Sequence, residues 1–468
     1  MKCALLRVCT FSAVFCVVVL AQPQPQVNPF AGSQWAPPPG YNGPLFKLSH
    51  HYPETPPPQP ANPPWLKVLQ GKPLSADNAL LYVQALKDYV ATDMRQLIFN
   101  YGQWDPEKAH WYDMPWIFAS RDPLHGTYQA GSFDPSVFPL SHMTQNNMTT
   151  HMSVYYNDVA GYTLGQVWGK DAKNPDLKKF QFMDGAIVIK VAFTTALAKD
   201  WSPMEGSALW EVYPPVPGPD HLMHAPRQVM PVALFQLDII VKDTKAAPRT
   251  GWVFTTLTYN KNIKGDVWER MVPLGAMWGN DPDTNSWFAP NATLEENVIN
   301  PTAPLYATET LGYGGRLSGP NDGAISQGNL VEGHFMPRLS ISSCMSCHGV
   351  AEWPMKSNLT PQTEDAPSKS DPTLAGGLIP APGSHAFNRW FQDRPGNVPQ
   401  DAGSIALDYD MNMTLKALPA WFRWKSSQQP PIAEEEVLSQ MPPQLRPLLL
   451  RPEVSSKTGG ELKVPGQH

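Results

Sequence analysis

The sequence predicts an α+β protein: a β-rich domain, sandwich-like or jelly-roll-like, followed on its C-terminal side by a mainly helical, loop-rich module. Three observations predict it. Between about residues 150 and 270 apolar residues recur with period two, and no helical pattern intervenes. Pro reaches 52 and Trp 16 while charged residues make up only 16%, a composition suited to long packed loops on a β scaffold rather than to a helical bundle. After residue 329 a helical pattern returns, interrupted by Pro- and Gly-rich sequence.

The chain divides into five expected parts. Lys2 and Arg7 flank the start of a largely apolar run, Val8 to Leu20, and Val19-Leu20-Ala21 puts small or moderately small residues before Gln22. Residues 1–21 therefore read as a secretory signal peptide. The run is shorter than the roughly 18 apolar residues that a membrane span needs, and no other stretch approaches that length, so no transmembrane anchor is expected. Residues 22–72 are rich in Pro, Gln and Asn, with Pro37-Pro38-Pro39 and Pro56-Pro57-Pro58, and predict a partly extended arm.

The β-rich domain is expected over 73–328, led by a helix from about Ser75 to Phe99. Ser75 suits an N-cap, and Ala79, Val83, Leu86, Val90, Met94 and Leu97 make one apolar face. Trp104 to Phe133 is a dense aromatic stretch without periodicity. Within it Arg121, Asp122, His125 and Tyr128 are the polar cluster with the best claim to be a second, catalytic site; the alternative is an ion pair and a hydrogen-bonded His bracing a loop.

Strands follow. Ile187, Ile189, Val191 and Phe193 alternate with Ala186, Val188, Lys190 and Ala192. Phe235, Leu237, Ile239 and Val241 form a second apolar row, and Trp252 to Tyr259 a third strand. Shorter strands are expected at Met152–Tyr156 and Tyr162–Trp168. His221 and His224, near Met223 and Met230, lack a carboxylate at ligand spacing and read as a solvated loop. Residues 271–328 read mostly as loop. No phosphate-binding glycine fingerprint, nucleophile elbow or His-Glu-x-x-His occurs. A net charge of −6 without basic blocks argues against nucleic acid as a partner.

Residues 329–425 carry the chemistry, and a Pro-rich tail, 426–468, closes the chain. Cys344-Met345-Ser346-Cys347-His348-Gly349 contains Cys-x-x-Cys-His. The other cysteines, Cys3, Cys9 and Cys16, all fall in the signal segment, so both remaining thiols belong to this pentad. A disulfide across two residues closes a tight ring and staples little chain. A thioredoxin-like pair calls for a βαβ setting, and a zinc site for a second ligand pair.

Cys-x-x-Cys-His is the attachment signature of c-type haem, and here the chain resembles the c-type cytochromes. The resemblance covers residues 344–349 and, more weakly, about 80 residues around them. It implies one covalent haem c per chain, held by thioethers from Cys344 and Cys347, with His348 as the proximal iron ligand. Gly349, lacking a Cβ, lets the backbone leave the ring face. Because bacterial haem of this kind is attached after export, the resemblance also implies a periplasmic protein.

For the distal ligand, Met411 and Met413 lie a plausible distance beyond His348, on a helix expected from Ile405 to Trp424. Its face of Ile405, Met411, Leu415, Leu418 and Phe422 selects Met411; His385, the N-terminal domain or an open site are the other sources. The insertion Lys356 to Gly383 departs from a compact cytochrome. The leading expectation is a periplasmic monohaem cytochrome that transfers one electron at a time with a redox partner protein or a small-molecule donor or acceptor. The competing one is a haem-dependent oxidoreductase, peroxidase-like or coupled to a second site in the β-rich domain. A ligand-holding β-domain whose haem only reports redox state is a third.

Overall fold

The computed structural model describes residues 27–58, 62–145, 147–214, 227–284, 293–322, 326–331, 334–357, 359 and 385–428. The expected signal peptide, His221 and His224, nearly all of the 356–383 insertion, the side chain of His385 and the tail beyond residue 428 lie outside the described residues.

Two helices, α1 (Pro64–Lys67) and α2 (Ala79–Phe99), open the chain. Strands β1 (Trp111–Tyr112), β2 (Tyr128–Phe133) and β3 (Met148–Asn157) lead into α3 (Asp158–Trp168). Then come β4 (Ile187–Thr194), β5 (Leu209–Val212), β6 (Met230–Lys242), β7 (Trp252–Tyr259), β8 (Met271–Met277) and β9 (Asn297–Ile299). These form one nine-stranded antiparallel sheet in the order β1-β3-β4-β6-β7-β8-β9, with β2 paired to β3 and β5 to β6. After α4 (Leu305–Thr308) the hairpin β10 (Ser326–Val331) and β11 (His334–Ser340) leads to α5 (Cys344–His348). The short strand β12 (Glu352–Trp353) pairs with β13 (Ile405–Ala406), with α6 (His385–Phe391) between them in sequence. A π-helical turn, Met413–Ala417, runs into α7 (Leu418–Ser427).

The α+β class holds, with a β-rich body. The architecture is one large sheet, however, not the two facing sheets of a sandwich or jelly roll. Alternation along a strand says that its two faces differ; it does not say what covers each. Here the strand registers define the two faces. Ile189 lies opposite Tyr155 and Ile239, and Val191 opposite Leu237; this face is buried and mainly apolar, with Ser153 and Thr255 the hydroxyls at its centre. It is closed by the α2 side of the molecule: Phe193 stacks on Trp210 (4.2 Å), the Trp210 Nε1–H donates to the Ile98 carbonyl (3.4 Å), and Tyr155 meets Trp104 edge-on. The other face carries Val154 and Tyr156 of β3, Val188 and Lys190 of β4, Asp238 and Ile240 of β6, and Trp252 and Phe254 of β7. The C-terminal segment, not a second sheet, lies over it.

The apolar positions expected of the leading helix, Ala79 to Leu97, are all buried. The helix starts at Ala79 rather than Ser75, because Asn78 Oδ1 accepts the Ser75 N–H (2.8 Å) and holds a turn before it. Tyr162–Trp168 is helix, not strand. Asn157 Oδ1 accepts the Ala160 N–H (3.1 Å) and caps α3, while Gly161 and Gly165 let it approach Tyr112 and Tyr52, where a Cβ would lie 2.5 Å and 2.8 Å from those side chains. A composition rich in Tyr, Thr and Val hid that i, i+4 glycine pair. Conversely, β8 lies in sequence expected to be loop. Pro273 and Gly275 break its pattern, and the ladder with β7 shifts register between Thr256 and Leu257, which accommodates them. The aromatic stretch contains β1 and β2, and the arm is fastened to it: Phe46 N–H donates to the Pro123 carbonyl, and Trp116 N–H to the Pro29 carbonyl.

Candidate functional site

Ser343 and Ser346 fix the start of α5. The Ser343 hydroxyl accepts the Ser346 N–H (3.1 Å) and the Ser346 hydroxyl accepts the Ser343 N–H (2.7 Å), a reciprocal cap. In a helix, residues i, i+3 and i+4 share a face. Cys344, Cys347 and His348 therefore present together, while Met345 and Ser346 are buried behind them. Gly349 keeps a helical φ of −62°. Its missing Cβ leaves room for the Met345 carbonyl and Arg394 rather than releasing the backbone.

All three motif side chains line a cavity of about 550 Å³, within the range of cofactor pockets. The cavity face of the sheet forms one wall, with Met152, Val154, Tyr156, Val188, Lys190, Ile240 and Trp252. The segment Asp408 to Asn412, with Leu415 and Lys416, also lines it, tied to the sheet through Asp408–Trp252 and Asp410–Tyr156. The period-two pattern thus sorts the strands: Ile187, Ile189 and Val191 go to the core, and Val188 and Lys190 to the cavity.

His348 is held from two sides. Its Nδ1–H donates to the Tyr409 carbonyl (2.7 Å), and its ring meets Phe254 edge-on at 4.8 Å. Burial lowers its pKa, against a small opposing pull from Tyr409, so the ring is neutral and the lone pair sits on Nε2. A backbone acceptor on the far nitrogen is the arrangement that orients a metal-ligating imidazole. The thiols are free, and burial raises both, Cys344 well above its ordinary value and Cys347 to about 12. Such thiols make a poor low-pKa redox pair.

The 408–412 segment is anchored residue by residue. Asp408 accepts from Lys242 Nζ (2.7 Å), Trp252 Nε1 (2.7 Å) and the Phe182 N–H (2.8 Å). Tyr409 donates its hydroxyl to the Arg394 carbonyl (2.7 Å). Asp410 accepts the Tyr156 hydroxyl (2.8 Å) and the Met413 N–H (2.8 Å). Asn412 accepts the Tyr128 hydroxyl (3.1 Å). Asp408 and Tyr409 both sit at positive φ, +43° and +66°, a strained pairing for non-glycine residues that the surrounding bonds must impose. The expected helix from Ile405 is interrupted here: Ile405–Ala406 is strand, and helical structure begins at Met411. Met411 lines the cavity, whereas Met413 is fully buried in the main core.

Two lysines reach the cavity. Lys190 Nζ pairs with Asp238 (2.7 Å) and Asp322 (3.6 Å). Burial opposes its charge, but the two carboxylates raise its pKa above the ordinary value. Lys416 lies 5.1 Å from the Tyr128 ring centroid, and burial lowers its pKa.

The aromatic-loop cluster divides. Tyr128 lines the cavity. Arg121, Asp122 and His125 do not, and each braces the loop. Arg121 lies 3.6 Å from Asp113 and donates to the Met114 carbonyl (3.0 Å). Asp122 accepts N–H groups of Leu124, His125 and Thr127. His125 stacks on Trp210 (4.5 Å), and its Nδ1–H donates to the Glu211 carbonyl (2.7 Å). Burial lowers the His125 pKa to about 4. Because the folded value lies below the unfolded value of about 6.5, this neutral ring contributes stability above pH 6.5 that is lost as pH falls through 4. His125→Phe keeps the stacking and should remove that acid sensitivity, on the order of 3 kcal/mol across the window. Urea unfolding at pH 7 and pH 4 measures it; an unchanged difference between the two pH values contradicts the neutral, buried His125.

Asp408, Tyr409, Asp238 and Trp252 were not singled out in the sequence. Charged residues at alternate positions inside apolar strands, Lys190, Asp238 and Lys242, were the available signal. The Asp408-Tyr409 turn carried none. Among the described residues no helix is long and apolar enough to cross a membrane. No protein-family model, curated protein or solved structure matches the chain, so the site's chemistry is read from its own residues.

Proposed function

We propose that the chain is an exported, periplasmic c-type cytochrome that holds one covalent haem in the 550 Å³ cavity and passes one electron at a time. One observation carries this: Cys344, Cys347 and His348 share one helical face and one cavity with Met411, while His348 Nδ1 is committed to the Tyr409 carbonyl. The donor set fits the group. Cys344 and Cys347 would form the thioethers, His348 Nε2 would ligate the iron, and the Met411 thioether lines the same cavity. Haem supplies the iron redox couple; the chain supplies ligands, a dry wall and fixed charge.

Each residue has a distinct task. Tyr409 and Phe254 hold the His348 ring in plane and tautomer. Val154, Val188, Ile240 and Leu415 exclude water, which lowers the local dielectric around the iron. Lys190 and Lys416 are the lining lysines; Lys190 is already paired with Asp238 and Asp322, so Lys416 is the one that would meet a carboxylate substituent of the cofactor. Met411 is the proposed distal ligand. Met411→Ala should convert low-spin iron to high-spin and lower its potential, while Met413→Ala leaves the spectrum unchanged and costs about 2–5 kcal/mol of stability as a core truncation. Absorption spectra of both variants check this. Wild-type spectra from both would return the ligand to another residue.

A second reading is favoured by the polar lining. Tyr128, Tyr156, Lys190 and Asp322 also face this space, and a haem-dependent oxidoreductase uses such groups to move protons. Cyanide separates the two: a six-coordinate carrier resists it, and an open iron binds it with a spectral shift.

A further inference from the structure

A second cluster of ligand atoms lies away from the cysteine motif, where the N-terminal arm crosses the turn before β1. His50, His51 and Glu107 each place one ligand atom so that the three lie within 4.8 Å of one another. We propose that these residues form a divalent transition-metal site of the Zn²⁺ or Cu²⁺ class, with two imidazoles and one carboxylate as protein ligands.

The chemistry fits that class. Imidazole suits zinc and copper, and a mixed nitrogen–oxygen set of three leaves positions for water or an external ligand. Calcium and magnesium favour all-oxygen shells and are poorly served.

The cluster is held in place rather than gathered by chance. Glu107 Oε1 accepts the His50 N–H (3.0 Å) and the His51 N–H (3.3 Å), so the backbone of the histidine pair fixes the carboxylate. Burial opposes the Glu107 charge, but those hydrogen bonds and His51 keep its pKa below the ordinary value, and it is anionic at neutral pH. Just upstream, the Ser49 N–H donates to Asp113 (3.0 Å), which pins the arm. Phe30 stacks on His50 at 4.5 Å and fixes that ring.

The two imidazoles are adjacent in sequence and stack on each other at 4.5 Å with planes 29° apart. Extended backbone ordinarily sends successive side chains to opposite sides. Here both rings lie together on one side of the chain. His50 Nδ1 is also buried without a well-formed hydrogen bond among the described residues, with a weak contribution from the Leu48 carbonyl. A buried nitrogen left in that state is costly, and a metal on that imidazole fixes its tautomer and offsets the cost. His51 Nδ1 lies 2.8 Å from Glu107 Oε1; that pair opens by a small side-chain rotation to admit an ion, and the His51 side chain is free to do so, being 78% exposed.

The test is calorimetric titration of the full-length exported protein, without an affinity tag and stripped by chelator, with Zn²⁺ alone. One equivalent should bind. His51→Gln and Glu107→Gln should each weaken binding at least tenfold, while His142→Gln, a histidine remote from the cluster in sequence, leaves it unchanged. His51→Gln alters an exposed side chain and should keep the wild-type melting temperature without metal, so lost binding is not lost folding. No binding by the wild type, or equal binding by wild type and both ligand variants, would overturn the proposal. The site shares no residue with the cysteine motif, so its failure and failure of the haem reading are distinguishable.

Discussion

On the proposed haem reading, His348→Ala should leave the thiols able to join a haem but take away the nitrogen that would ligate its iron. The expected result is a chain with haem on the gel, a high-spin absorption spectrum and a holoprotein yield lower by at least about tenfold, the scale on which even outer-shell partners of a metal act. The reasoning rests on tautomer. The Tyr409 carbonyl accepts the Nδ1–H at 2.7 Å, and only Nε2 is left to bind metal. Burial keeps that nitrogen unprotonated at neutral pH. Reduced and oxidised spectra of the variant measure the effect. A wild-type low-spin spectrum from His348→Ala would remove His348 from the iron.

Asp408→Ala should be the most destabilising single change away from the motif. Asp408 is fully enclosed and neutralises Lys242 at 2.7 Å, while also accepting from Trp252 and the Phe182 backbone. Removing one partner leaves a buried, uncompensated ammonium, which costs about 3–5 kcal/mol. It also frees a turn whose two residues sit at positive φ, so Tyr409 loses the seat from which it orients His348. Urea unfolding should show the loss, and a broadened spectrum of the surviving holoprotein should accompany it. Asp408→Leu combined with Lys242→Met replaces the ion pair by apolar groups and should recover most of the stability. If Asp408→Ala unfolds within about 1 kcal/mol of wild type, the pair is not a structural anchor.

Much of this was readable from the residues. The cysteine pentad has a spacing that a helical turn converts directly into a shared face, so its geometry is local and needs no long-range information. The apolar rows of β4 and β6 were legible for the same reason, each being a local period, and β7 from its β-branched and aromatic composition. Tyr162–Trp168 misled because strand-favouring residues there are overruled by two glycines that pack α3 on distant rings. β8 was hidden by Pro273, which a register shift in the ladder accommodates. The single sheet was not legible, since pairing partners as far apart as Ile187 and Val241 decide it. Nor was the Asp408-Tyr409 turn, whose conformation is imposed by Lys242, Trp252, Arg394 and His348 from four separate parts of the chain. Arg121, Asp122 and His125 looked alike to Tyr128 in sequence; only the fold separates three that brace a loop from one that reaches the cavity.

The most direct test of the central proposal is haem retention after full denaturation. The purified protein, unfolded and run on a denaturing gel, should carry haem stain on its band, and mass spectrometry should find one haem joined to the peptide holding Cys344 and Cys347. Cys344→Ala combined with Cys347→Ala should abolish both signals. A wild-type band without haem, or a double variant that keeps it, would contradict the account.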